Sequence, residues 1–118
     1  MSIQSLTDYI DAEISEAGRL RRAGDAKGAF RHLERAHVLG QTSTYHHTRV
    51  HWLMLKHGLW QHDLKEIAGQ VLRIGGAATK TPLGIYPVGN TGGANVSPLR
   101  SMPIEPDLTA ILDSVDRR

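Results

Sequence analysis

All five prolines of this 118-residue chain fall between Pro82 and Pro106, and all seven histidines fall between His32 and His62. That segregation divides the chain into a histidine-bearing first part and a proline- and glycine-bearing second part. Proline breaks helices by removing an amide donor and crowding the preceding turn, so the first part is free to form long helices and the second is not.

The apolar spacing of the first part is helical. Ile3, Leu6, Ile10, Ile14 and Ala17 recur every three or four residues between acidic positions, predicting an amphipathic helix from about Ser5 to Arg22. Ala23-Gly24-Asp25 stops it, and Asp25 is placed to cap a second helix with Ala29, Phe30, Leu33, Ala36 and His37 inward. Gly40 is expected to end that helix in a left-handed conformation. Ser43 or Thr44 caps a third helix running to His57 and closed by Gly58. A fourth is expected from about Gln61 to Ile74, with Leu64, Ile67, Ala68 and Val71 inward and Gly75-Gly76 as its stop. Pro106 opens a last short helix carrying Leu108, Ile111, Leu112 and Val115. The expected fold is all-α: a small antiparallel bundle of four main helices over residues 5–74, a wrapping loop over 75–104 and a short helix over 105–116, forming one domain of 1–118.

Composition removes several functions. With no cysteine, the chain has no disulfide, no thiolate metal site and no thiol catalysis. The net charge of +2 is small, and the basic stretch from Arg19 to Arg35 is interrupted by Asp25 and Glu34. It lacks the continuous stripe and stacking aromatics of a nucleic-acid footprint, so no nucleic-acid partner is expected. The N-terminus has no apolar signal-peptide core and no segment reaches the ~20 apolar residues of a membrane span, so a cytoplasmic, bacterial-type protein is the expectation. G-x-S-x-G is absent, and no organic cofactor is indicated.

The histidines point to chemistry. Glu34 and His37 stand three apart on the second helix, and His47 and His51 four apart on the third, spacings that put each pair on one side. With Val50 as the reference direction, His57 lies at about −20°, His46 at about −40°, His47 at about +60° and His51 near +100°. Imidazoles therefore share the face on which neighbouring helices must pack. Asp63, Glu66 and Gln70 stand at i, i+3 and i+7 on the fourth helix, flanking its apolar stripe. Bundle metal sites are built from such side chains on facing helices, so His37, His47, His51, Glu34, Asp63 and Glu66 are the candidate ligands or orienters. Imidazole with carboxylate suits zinc, iron, copper, nickel or manganese. Because bound imidazole must be neutral, affinity is expected to fall below about pH 6.5.

A different class of function also fits. Ala23-Gly-Asp-Ala-Lys-Gly-Ala-Phe-Arg-His-Leu-Glu-Arg-Ala resembles the turn and second helix of a tetratricopeptide unit. On that reading the chain is an interaction module, the histidines pack or bond to carboxylates without metal, and the partner is a protein or a second copy.

The second part carries Pro87-Val-Gly-Asn-Thr-Gly-Gly-Ala-Asn-Val-Ser-Pro, whose glycines permit tight turns and whose Asn90, Thr91 and Asn95 can bond to turn backbone. It lacks the lysine pattern of a phosphate-binding loop. Asn90, Thr91, Gly92, Gly93 and Asn95 are expected in an ordered loop folded across the bundle, in reach of the histidine face.

That motif, with Leu33-Glu-Arg-Ala-His-Val-Leu-Gly-Gln, His47-Thr-Arg-Val-His-Trp, Gly69-Gln70 and Met102-Pro, resembles a bacterial family of short proteins of unknown function over about residues 26 to 112. The resemblance brings no accepted activity. It implies that Glu34, His37, His47, His51 and the Asn90–Asn95 stretch lie in the family's own motifs.

Overall fold

The structure, a computed structural model, describes residues 5–84, 88–97 and 100–115. Its elements are α1 (Leu6–Arg22), α2 (Ala26–Gly40), α3 (Thr44–Gln61), α4 (Leu64–Lys80), a single 3-10 turn at Thr81–Leu83, and α5 (Pro106–Val115). No strand occurs among the described residues, and the fold is an all-α bundle. Short connections make consecutive helices antiparallel neighbours. Ile3, Pro87 and Pro98, named above, lie outside the described residues.

Four helix starts are fixed by side-chain oxygens accepting from amides that a first turn leaves unbonded. Ser5 accepts from Asp8 N while the Asp8 carboxylate accepts from Ser5 N, a capping box. Asp25, Ser43 and Asp63 accept from the amides of Gly28, His46 and Glu66. The core gathers Ile10, Ala17, Leu33, Ala36, Leu39, Val50, Met54 and Leu108, with Phe30, Ile111 and Leu112 packed against it. Arg35 ties α5 down, bonding to Glu13 of α1, to Glu105 and to Asp107.

Three stops differ from expectation, each for a packing reason. Gly40 does not adopt a positive φ. It is glycine because a Cβ there would lie 2.8 Å from His46 Cβ, so it brings the end of α2 against the first turn of α3. Gly58 stays inside α3, where a Cβ would meet Ile67 Cγ1 at 3.2 Å. The helix ends instead at His62, which takes the left-handed conformation at φ 54°. Gly75-Gly76 does not stop α4, which starts at Leu64 and continues to Lys80. Mid-helix glycine costs roughly 1 kcal/mol relative to alanine, and that cost is outweighed by anchors beyond it. Ala77 is buried, and Thr81 is buried and bonded to a histidine of α3.

The inward face of α4 is also different. Leu64, Ala68 and Val71 are exposed, and Ile67 is half-buried; Glu66, Gln70 and Ala77 are the buried residues. Polar side chains at this position can point inward only where they meet polar partners, and those partners are histidines and a loop.

Candidate metal centre

His37 enters from α2, and His47 and His51 from successive turns of α3. All three are buried, and one ligand nitrogen from each lies within 4.8 Å of the others. Their Nε2 atoms converge: His37 Nε2 stands 3.0 Å from His47 Nε2 and 3.1 Å from His51 Nε2. The opposite nitrogens all point outward to partners. His37 Nδ1 lies 2.7 Å from the Asn90 carbonyl oxygen, His51 Nδ1 2.6 Å from Gln70 Oε1, and His47 Nδ1 2.7 Å from Thr81 Oγ1.

Two of these partners, the Asn90 carbonyl and Gln70, set the tautomers of His37 and His51. A carbonyl oxygen only accepts, so His37 Nδ1 carries its proton and donates to Asn90. Gln70 Nε2 donates to a Glu66 carboxylate oxygen at 2.6 Å and to the Gly92 carbonyl at 2.8 Å, which leaves Oε1 toward His51. His51 Nδ1 therefore donates as well. In the neutral rings both Nε2 atoms are then bare lone pairs, directed at each other with no proton between them. Adding protons is opposed. Burial holds His37 well below its ordinary pKa, with His51 and His47 adding like-charge repulsion. Burial likewise lowers His47 to about 4 and His51 to about 3. Such a constellation is suited to a cation that accepts three nitrogen lone pairs.

The glycine- and asparagine-bearing loop closes over this cluster. Gly92 takes φ 89°, and a Cβ there would fall 2.6 to 2.8 Å from ring atoms of His37. Asn90 holds the turn: its Oδ1 accepts from Gly92 N, and its Nδ2 donates to the carbonyls of Ser97 and Arg100. Glu66 accepts from Ala94 N, Arg73 donates to the Val96 carbonyl, and Gln41 Oε1 accepts from Gly89 N. Gly93 packs against Phe30, and Asn95 is exposed.

The carboxylates occupy different ground from the imidazoles. Among the described residues, the close group that could hold an ion consists of His37, His47 and His51 alone. Glu34, Asp63 and Glu66 line an open cavity of about 880 Å³ together with Phe30 and His57. Burial raises the Glu34 carboxyl, with the Thr91 hydroxyl acting in the opposite direction. Asp63 is the cap of α4, and Glu66 reaches the histidines through Gln70. Gln70 and Thr81 orient two of the three rings; helical spacing aligns Gln70 with Asp63 and Glu66 without making it a ligand, and Thr81 is not among the candidates. Gln70 carries a signal, standing four residues after Glu66; Thr81 carries none, because it lies beyond the glycine pair.

No curated protein and no solved structure matches the chain. Residues 4–112 match a family described as proteins of unknown function (DUF3703), and the chain belongs to that family.

Proposed function

We propose that this protein binds one divalent transition-metal ion through Nε2 of His37, His47 and His51. The observation that carries the reading is the contact between two unprotonated Nε2 atoms at 3.1 Å, His37 to His51. A purely structural network relieves only part of this crowding. His47 could donate from Nε2 to His37 if Thr81 donated to its Nδ1, but His37 and His51 would still oppose lone pairs. One metal ion satisfies all three nitrogens.

The spacing supports the same reading. Metal–nitrogen bonds of about 2.0–2.1 Å in a tetrahedral site set nitrogens roughly 3.3 Å apart; His37 Nε2 stands 3.0 Å from that of His47 and 3.1 Å from that of His51, with all three ligand atoms within 4.8 Å of one another. Three neutral imidazoles suit zinc, copper, nickel or iron better than the hard ions that prefer oxygen. Asn90, Gln70 and Thr81 would serve as outer partners that fix each ring, as ligating histidines require. The ion would tie α2 to α3 and, through those partners, to α4 and the loop. Glu66 would act by orienting Gln70 rather than by ligation.

Titration of metal-free protein with cobalt(II), followed by zinc(II) displacement, tests this. The expected result is one ion per chain with the intense visible bands of tetrahedral cobalt. Uptake below stoichiometry, or uptake unchanged by His37→Ala and His51→Ala, would refute it.

A further inference from the structure

The apolar side of α4 faces away from the bundle. At 100° per residue, Leu64, Ala68, Val71, Leu72 and Gly75 fall within a sector of about 100°, opposite buried Gln70. Leu64 and Leu72 are 79% and 78% exposed, and Val71 and Leu83 are also exposed. The neighbouring helix repeats the pattern: Trp52 and Leu59 of α3 are exposed opposite its buried histidines. The register of the hairpin, with Gly58 against Ile67 and Met54 against Gln70, sets Leu59 level with Leu64 and Trp52 level with Leu72.

An independent oddity lies on the same face. Gly40, Gly58 and Gly69 each have a neighbour that excludes a Cβ or crowds it, whereas an added Cβ at Gly75 or Gly76 meets nothing within 4 Å. Two consecutive glycines inside a helix weaken it by roughly 0.5–1 kcal/mol each, and nothing among the described residues needs the space. The space they leave is wide enough for another backbone to approach closely.

We infer that the outer face of the α3–α4 hairpin is a homodimer interface, with α4 of a second copy crossing at Gly75-Gly76. Leu72 and Thr79 stand equally far before and after the glycine pair on the same side of α4, so a two-fold axis through that point sets each against the other in the second copy. The exposed parts of Trp52, Leu59, Leu64, Val71, Leu72 and Leu83 amount to on the order of 700 Å², against about 800 Å² per partner in a standard interface. That is more than a lone soluble chain usually leaves open. α3 contains no aspartate or glutamate, and the one in α4, Glu66, is buried on the other side; the charges on this face are the exposed Lys56, between Trp52 and Leu59, and Lys65 at its edge, whose stems can lie along the contact with their ammonium groups at the rim. This inference is independent of metal binding.

Sedimentation velocity on the full chain over a dilution series, with Leu72→Asp and Gly75→Leu, tests it. At Gly75 an added Cβ meets no atom among the described residues, and leucine improves helix propensity, so circular dichroism of that variant should keep the wild-type helix content. The expected result is a wild-type dimer that each variant weakens at least tenfold. A wild-type monomer at every concentration, including one that instead sediments with anionic vesicles, would overturn the inference. So would a dimer that either variant leaves intact.

Discussion

His37 Nε2 and His51 Nε2 face each other at 3.1 Å, and the Asn90 carbonyl and the Gln70 carboxamide hold both rings with their protons turned outward. Buried polar atoms are normally paired. Here the chain spends a loop and two helices on orienting two acceptors toward one point. The arrangement is costly for the metal-free protein and favourable once a cation accepts those lone pairs.

Metal should therefore stabilise the fold. A ligand at about one hundred times its dissociation constant adds roughly 2.7 kcal/mol, which raises the thermal midpoint of a chain this size by about 10 °C. Calorimetry with zinc and then with a chelator measures the shift. His51→Ala should abolish it, and an equal shift in that variant would exclude the three-histidine site.

Gln70 is the residue through which α4 addresses the histidines, and it also ties α4 to the loop at Gly92. Gln70→Ala removes the acceptor of His51 Nδ1 and the donor to Glu66 and Gly92. Loss of an outer partner of a ligating histidine typically lowers metal affinity 10- to 100-fold. Competition against a chromophoric chelator reads that loss directly. If affinity is unchanged while stability falls, Gln70 is a packing residue only.

Much of this site is legible in the amino-acid sequence, and the illegible parts share a cause. α4 starts at Leu64 rather than near Gln61, with Asp63 as its cap, but Asp25 and Ser43 mark helix starts because capping is local chemistry between residues three apart. Helical spacing singles out His37, His47 and His51 for the same reason. It misplaces the inner face of α4, because periodicity locates an apolar stripe without saying which side is the core. Leu64 and Val71 form the stripe, yet Gln70 and Glu66 are drawn inward by the histidines and loop amides. Gly75-Gly76 reads as a stop in isolation; the anchors that carry α4 past it, Ala77 and Thr81, are tertiary.

Gly92 should tolerate no side chain. Its φ of 89° is unfavourable for any L residue, and a Cβ would overlap the His37 ring. Gly92→Ala is expected to cost at least about 2 kcal/mol, near the upper range for single substitutions outside a deep core. It should also lower metal affinity by displacing His37. Chemical denaturation with and without zinc separates the two effects, and Gly24→Ala supplies the control, since Gly24 shares the positive φ but has open space around it. Equal losses in both variants would show that backbone strain alone is responsible.

Acid should begin to destabilise the metal-free protein well above the range in which carboxylates titrate. His47 and His51 have folded-state values lowered to about 4 and about 3 by burial, against 6.5 ordinarily. A lowered value means the unfolded chain takes up more protons, so this stability is fully present above about pH 6.5 and is lost as pH falls toward 4 and 3. Each histidine then costs about 1.4 kcal/mol per pH unit, or roughly 2 kcal/mol by pH 5. His46 and His57 are lowered by burial too and add in the same direction. Metal affinity at the folded site should correspondingly hold to a lower pH than the 6.5 expected for exposed imidazoles, because protons compete poorly for buried rings. Urea midpoints at pH 7.5, 6 and 5 should decline for wild type and decline less for His47→Gln. A midpoint insensitive to pH over that range would mean that these rings are not buried in the neutral form.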